Sequence, residues 1–226
     1  MNSLQPLGKK PKITAMYLAK TAILSVISFI LYTFVKFPLP FMFPSFLDMH
    51  FSELPALLAG FSMGPVSGCL VILIRCLLKL PMSSTGFVGE FTDLVLGVAI
   101  VLPASLIYKY HKNIKSAILG LSAGVVSSVI VGIILNRFVS IPFYVAFFFG
   151  GNWDILLNMV RPLYPGVTRD NFYFYYLLLA VAPFNIIRSS VMALLTFLLY
   201  KKLSKLLHWE KHKTPKEPNK LPMEKE

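Results

Sequence analysis

The 226-residue chain is 56% hydrophobic and 14% charged with a formal net charge of +12, whereas soluble domains carry about 25% charged residues; a water-soluble globular domain is excluded. Lys gathers at the N-terminus, in one short loop and in the tail, which marks membrane topology rather than a nucleic-acid face. Cys69 and Cys76 stand seven apart on one predicted helix, about 10 Å along its axis at 1.5 Å per residue, too far to bridge, and no C-x-x-C metal site occurs.

The first predicted span covers residues 13–35 and ends where Pro38, Pro40 and Pro44 forbid further helix. It is too long for a signal-peptide core and is expected to be a retained first helix. An outer loop follows, then two short apolar stretches, 51–63 and 66–80, broken at Gly64-Pro65. Neither reaches the roughly 20 residues a bilayer asks for, so a tilted or partly buried helical hairpin is expected. Further spans cover 86–108, 116–144 and 174–203. The connection 145–173 carries Gly150-Gly151, Pro162 and Pro165-Gly166 and is expected to fold as a cap.

Three basic clusters set the topology: Lys9, Lys10 and Lys12; Lys109, Lys112 and Lys115; Lys201, Lys202 and Lys205. They share one side only if the spans number six, which makes both termini cytoplasmic. The expectation is an all-α membrane protein: a cytoplasmic segment 1–12, a six-helix domain 13–206 and a basic disordered tail 207–226.

Within this oily bundle stand Arg75, Lys79, Glu90, Asp93, Asn136, Arg137, Asn185 and Arg188. Charge inside a bilayer costs roughly 2.5 to 3.5 kcal/mol per residue even on insertion scales, so such residues line cavities or pathways. The topology aims them at one outward-facing region. Asn185 with Arg188, Glu90 with Asp93, and Arg75 with Lys79 each share a helix face. Glu90 or Asp93 is expected to pair with Arg75 or Lys79, leaving the asparagines free for a ligand. One asparagine offers both an acceptor and donors, matching a heterocycle edge. Phe46, Leu47, Met49 and Phe51 in the outer loop, and Phe143, Tyr144, Phe147 and Trp153 around the cap, supply walls for a flat aromatic ligand. His50 reads as an ordinary loop residue rather than a metal ligand, and no metal site is expected. Glu90 and Asp93 also admit a membrane-embedded enzyme, but no nucleophile, Asp-rich metal motif or Walker motif accompanies them.

The strings Phe51-Ser52-Glu53-Leu54-Pro55-Ala56-Leu57-Leu58-Ala59-Gly60, Gly64-Pro65, Thr85-Gly86-Phe87-Val88-Gly89-Glu90, Leu102-Pro103, Leu135-Asn136-Arg137-Phe138-Val139 and Pro183-Phe184-Asn185-Ile186-Ile187-Arg188 stand in order along the spans. Together they resemble the riboflavin-specific substrate-binding (S) component of energy-coupling-factor (ECF) transporters. The resemblance implies a non-catalytic, multi-pass plasma-membrane subunit with no cofactor. It would capture riboflavin or flavin mononucleotide (FMN) in an outward pocket closed by the outer loops, then deliver it with a transmembrane T component and two ATPase subunits, toppling to release it inside. Matching positions put Asn136, Asn185 and Arg188 in the flavin-binding set, with Thr85 and Glu90 nearby; Lys79, Met49 and Leu47 complete the candidate site. Arg188 stands where the family usually has Lys, His50 where an acid is common, and Asp93 where Asn is common. Arg is planar and always charged, so the first change bears on which oxygens are held. Lys79, Arg161, Arg169 and Arg188 are candidate partners for a phosphorylated flavin. Another vitamin or heterocycle is the alternative ligand. Ala15-Met16-Tyr17-Leu18-Ala19 is a small-xxx-small pattern, and by the resemblance Ala15 and Ala19 contact the T component.

Overall fold

Helix α1, Ala15–Phe34, begins at Thr14, whose hydroxyl accepts from the Tyr17 N–H. The computed structural model describes residues 14–44 and 46–207, of which 201–207 as helix backbone alone. Lys9, Lys10 and Lys12, the segment 1–12, the tail beyond 207 and the side chains of Lys201, Lys202 and Lys205 lie outside the described residues.

After α1 the proline-bearing stretch forms a small antiparallel hairpin, β1 (Lys36–Pro38) with β2 (Asp48–His50), a departure from the all-α expectation. Lys36 and Asp48 close it with an ion pair of 3.0 Å. Helices α2 (Glu53–Met63) and α3 (Pro65–Lys79) meet at Gly64, whose φ of 107° suits glycine, and Pro65 opens α3 where a missing N–H costs nothing. A 3-10 turn extends α3 to Met82, giving 18 residues that are long and apolar enough to cross a bilayer. Of the two segments expected to be short, only α2 is, and eight of its eleven residues are buried, so the bundle rather than lipid surrounds it.

Helix α4 (Val88–Tyr110), α5 (Ile114–Phe148) and α7 (residues 172–207) complete the bundle, and the cap carries a short helix α6 (Trp153–Val160). Among the described residues five helices are therefore long enough to span, with α2 as the sixth membrane helix. Both α5 and α7 run further outward than their hydropathy indicated, through π-helical turns at Asn136–Ser140, Tyr144–Phe148 and Tyr176–Val181. Pro142 and Pro183 sit beside these turns and have no N–H for the carbonyl four residues back. The Leu179 carbonyl, left by Pro183, takes the Tyr164 hydroxyl of the cap at 2.9 Å.

A stripe of small residues at four-residue spacing, Gly120, Gly124, Ser128 and Gly132, forms the inner seam of α5. A Cβ at Gly120 or Gly124 would stand 2.6 Å from the carbonyl oxygen of Ala104 or Ile100 on α4, so the two backbones touch. Ser128 and Ser189 share a hydrogen bond of 2.8 Å, joining α5 to α7. Leu57, Val71, Ile100, Val101, Leu121 and Met192 form the central core. A second core of Ile141, Leu156, Val160, Phe172 and Tyr176 holds the cap against the outer end, with Phe46 and Leu47 packed on it.

At the opposite end, Ser67 Oγ donates to the Tyr17 hydroxyl at 2.7 Å, Phe61 stacks on Tyr108 with centroids 4.6 Å apart, and the Tyr108 and Tyr200 hydroxyls bond. Lys109 and Lys112 lie at this same end, beside the α2–α3 turn. By the positive-inside rule it faces the cytoplasm, and the hairpin and cap face outward.

Candidate ligand-binding site

The hairpin, the α3–α4 loop and the outer ends of α4, α5 and α7 enclose a cavity of about 200 Å³. Of the polar residues expected to converge, Lys79, Thr85, Glu90, Asp93, Asn136, Asn185 and Arg188 line it, whereas Arg75 and Arg137 do not. Its apolar and aromatic walls are Tyr32, Phe46, Leu47, Tyr144, Tyr176 and Phe184.

Several expected residues point elsewhere. Met49 is absent from the lining: side chains alternate along a strand, and Asp48 and His50 on either side of it are the ones at the cavity. Phe51 packs on Phe37, and Phe143 stacks on Phe147 with centroids 4.6 Å apart. Trp153 lies against Phe172 and under the Arg169 guanidinium, while Arg161 bonds Asn158 at 3.0 Å, so both arginines belong to the cap surface. Arg137 is exposed and sits 3.7 Å from the centroid of the Tyr173 ring.

The cavity floor is an ion network that differs from the expected pairing. Arg75, fully buried, reaches Glu53 Oε1 at 3.3 Å, the Asp93 carbonyl at 3.4 Å and the Ser52 hydroxyl. Arg188 Nη2 donates to Glu53 and, at 3.0 Å, to Asp93 Oδ1. Two guanidinium groups thus balance two carboxylates across α2, α3, α4 and α7. Such balance is what makes buried charge tolerable, since an unpaired ion in this setting costs several kcal/mol. Glu90 is compensated differently: its Oε2 accepts from Ser83 Oγ at 2.7 Å and Thr85 Oγ1 at 3.0 Å, and it stands in the first turn of α4, where the helix dipole favours an anion.

The asparagines are less free than expected. Asn136 donates to the Gly132 carbonyl at 2.9 Å and accepts from the Tyr176 hydroxyl at 2.8 Å. Asn185 donates to the Val181 carbonyl at 2.9 Å. Each amide is tied back one turn beside a π-helical segment, which fixes its rotamer and aims the rest of the group into the cavity. Each keeps one further N–H, and the Asn185 oxygen keeps its acceptor capacity.

His50, expected as a plain loop residue, is 3% exposed and lines the cavity. With Glu53 and Asp93 it forms a group of metal-ligating atoms within 4.8 Å of one another. Arg188 Nη2 contacts all three, so a guanidinium stands where a cation would sit.

The family described as ECF transporter, substrate-specific component, matches residues 16–200. The chain is an ECF S component. Among its relatives are the riboflavin transporter RibU of Staphylococcus aureus strain TCH60, 37% identical over 186 residues covering 82% of this chain and 89% of the relative, and the RibU of Streptococcus thermophilus, 31% identical with 84% and 83% covered. The riboflavin transporter FmnP of Bacillus subtilis strain 168 is 26% identical, with 82% and 90% covered. The solved S component of a bacterial ECF transporter superposes with a TM-score of 0.65 at 34% identity, covering 85% of this chain and 97% of that one.

As an S component the protein is a multi-pass plasma-membrane transport subunit, not a catalyst. Its cavity also draws on Tyr32, Asp48, His50, Ser140, Tyr176 and Phe184, none of which was a sequence candidate. Tyr176 and Phe184 hid within a uniformly apolar run. His50 carried the signal of an ionisable side chain immediately before a membrane helix, which the loop assignment discounted.

Proposed function

We propose that this S component captures riboflavin from outside the cell and passes it inward with a transmembrane T component and two ATPase subunits. The observation that carries the reading is 37% identity to a riboflavin transporter over most of both chains, joined to a cavity in which amide and ionic groups meet aromatic walls. Asn136 and Asn185 read the edge of the flavin ring, while Arg188, Thr85, Glu90 and Lys79 hold its hydroxyl chain and Leu47 covers the ring. Tyr32, Phe46 and Tyr176 suit a flat aromatic ligand.

Lys79 supports FMN as a second ligand: it lines the cavity, and among the described residues no carboxylate stands within ion-pair distance of it. Ala15 and Ala19 support docking of the T component on α1, since both are exposed and only 22% of the α1 apolar window is buried against 33–44% in the other spans. Titrating purified protein with riboflavin and with FMN, read by quenching of flavin fluorescence, tests the ligand. Saturable quenching by riboflavin is expected; its absence overturns the reading, and a preference for FMN reassigns Lys79 as a phosphate partner.

A further inference from the structure

One imidazole joins the hairpin wall of the cavity to the arginine at its floor. His50 ends β2, with Nε2 3.1 Å from Arg188 Nη2 and Nδ1 2.8 Å from Ser52 Oγ. Arg188 has only protons to give, so Nε2 is assigned as acceptor and Nδ1 as the protonated nitrogen donating to Ser52. Ser52 Oγ also accepts from Arg75, and the Ser52 carbonyl accepts from Ser28 Oγ at 2.6 Å, which anchors the same segment to α3 and α1. Around the ring stand Tyr32, edge-on at 4.8 Å between centroids, Glu53 Oε2 at 3.7 Å and Asp93 Oδ1 at 3.4 Å.

Arg188 Nη2 has two protons for three acceptors, Glu53 on α2, Asp93 on α4 and His50 on the hairpin, so one proton is shared between Asp93 Oδ1 and His50 Nε2, which stand 3.4 Å apart. Nε and Nη1 of the same fork carry three more donors on a residue that lines the cavity. A long side chain that enters binding already fixed loses little rotamer freedom when a ligand arrives. The hairpin is held to the bundle floor by the same imidazole, next to the wall residues Phe46, Leu47 and Asp48.

We propose that His50 is a positioning residue for ligand capture: through Nε2 it locks the β1–β2 hairpin onto Arg188, so that wall and guanidinium act as one preorganised piece. This rests on the reading that the cavity takes riboflavin. The two amide replacements of His50 separate its two bonds, because Gln reaches the Nε2 position and Asn only the Nδ1 position. In the full chain, His50→Asn is expected to speed riboflavin dissociation roughly tenfold while association changes by less than about twofold, and His50→Gln to stay within about threefold of wild type. Hydrogen exchange of the backbone amides of residues 36–50, measured without ligand, is expected to rise in His50→Asn and not in His50→Gln. Unchanged protection of α4 and α5 establishes that each variant is folded. Equal dissociation rates for the two variants, or hairpin exchange that is the same in both, overturns the proposal. Failure of the wild-type protein to bind riboflavin overturns the functional reading instead, and the exchange comparison still decides whether His50 holds the hairpin.

Discussion

Asn185 and Arg188 lie on one face of α7 but do different work. Asn185 keeps an unpaired acceptor at the cavity, and on the proposed function Asn185→Ala removes a ligand contact: riboflavin affinity is expected to fall by about 1 to 3 kcal/mol with the melting temperature nearly unchanged. An unaltered dissociation constant would remove Asn185 from the site. Arg188 also neutralises Asp93 and shares Glu53 with Arg75. Removing one partner of a buried pair costs about 3 to 5 kcal/mol, so Arg188→Ala is expected to lower the melting temperature in detergent by roughly 10 °C. Arg188→Lys, which keeps the charge, is expected to lose much less, and equal losses in the two variants would argue against a charge role. At this scale residue type and helical spacing made most of the polar residues that line the cavity legible, since ionisable and amide side chains in apolar spans have few other uses. Their pairing was not legible. Glu53 stood in the sequence only as a member of the Phe51–Gly60 string, yet it is the carboxylate shared by both arginines. His50, Asp93 and Arg188 touch one another, a fact that only folding reveals.

The bundle elements followed from hydropathy and proline placement, and Gly64-Pro65 marked the α2–α3 turn correctly. The π-helical turns were hidden, because an apolar run looks alike whether its carbonyls bond four or five residues on. These turns lengthen α5 and α7 and orient Asn136 and Asn185. The glycine seam of α5 was written in the sequence at four-residue spacing and passed over in favour of Ala15 and Ala19. Gly124→Val places a branched side chain where even a Cβ would stand 2.6 Å from the Ile100 carbonyl. Overpacking of this kind costs about 1 to 3 kcal/mol, read as a fall in melting temperature; no fall would mean that α4 and α5 separate freely. Gly132→Ala is a milder probe, since its Cβ would meet the Asn185 amide at 2.9 Å. It is expected to weaken riboflavin binding several-fold while stability holds, because the displaced group lines the cavity.

Among the described residues Lys109 and Lys112 lie beside the α2–α3 turn and the polar cavity lies at the opposite end, an orientation that loop charge makes legible in the sequence. The hairpin escaped the sequence reading since three-residue strands rich in proline and aromatics resemble loop. The peripheral position of α1 makes a prediction about assembly. Trp at both Ala15 and Ala19 is expected to leave riboflavin binding by the isolated subunit within about twofold and to abolish co-purification with a T component. Retained co-purification would move the docking face elsewhere. Beneath the ion network the interior is closed by Ile100, Val101, Ala104, Leu121 and Met192, each at most 4% exposed. A vitamin that has entered thus sits in a blind well above a greasy plug. Liposomes holding this polypeptide alone should stay tight to protons and small dyes, and delivery to the cytosol calls for the whole body to reorient rather than for a tunnel to open through it.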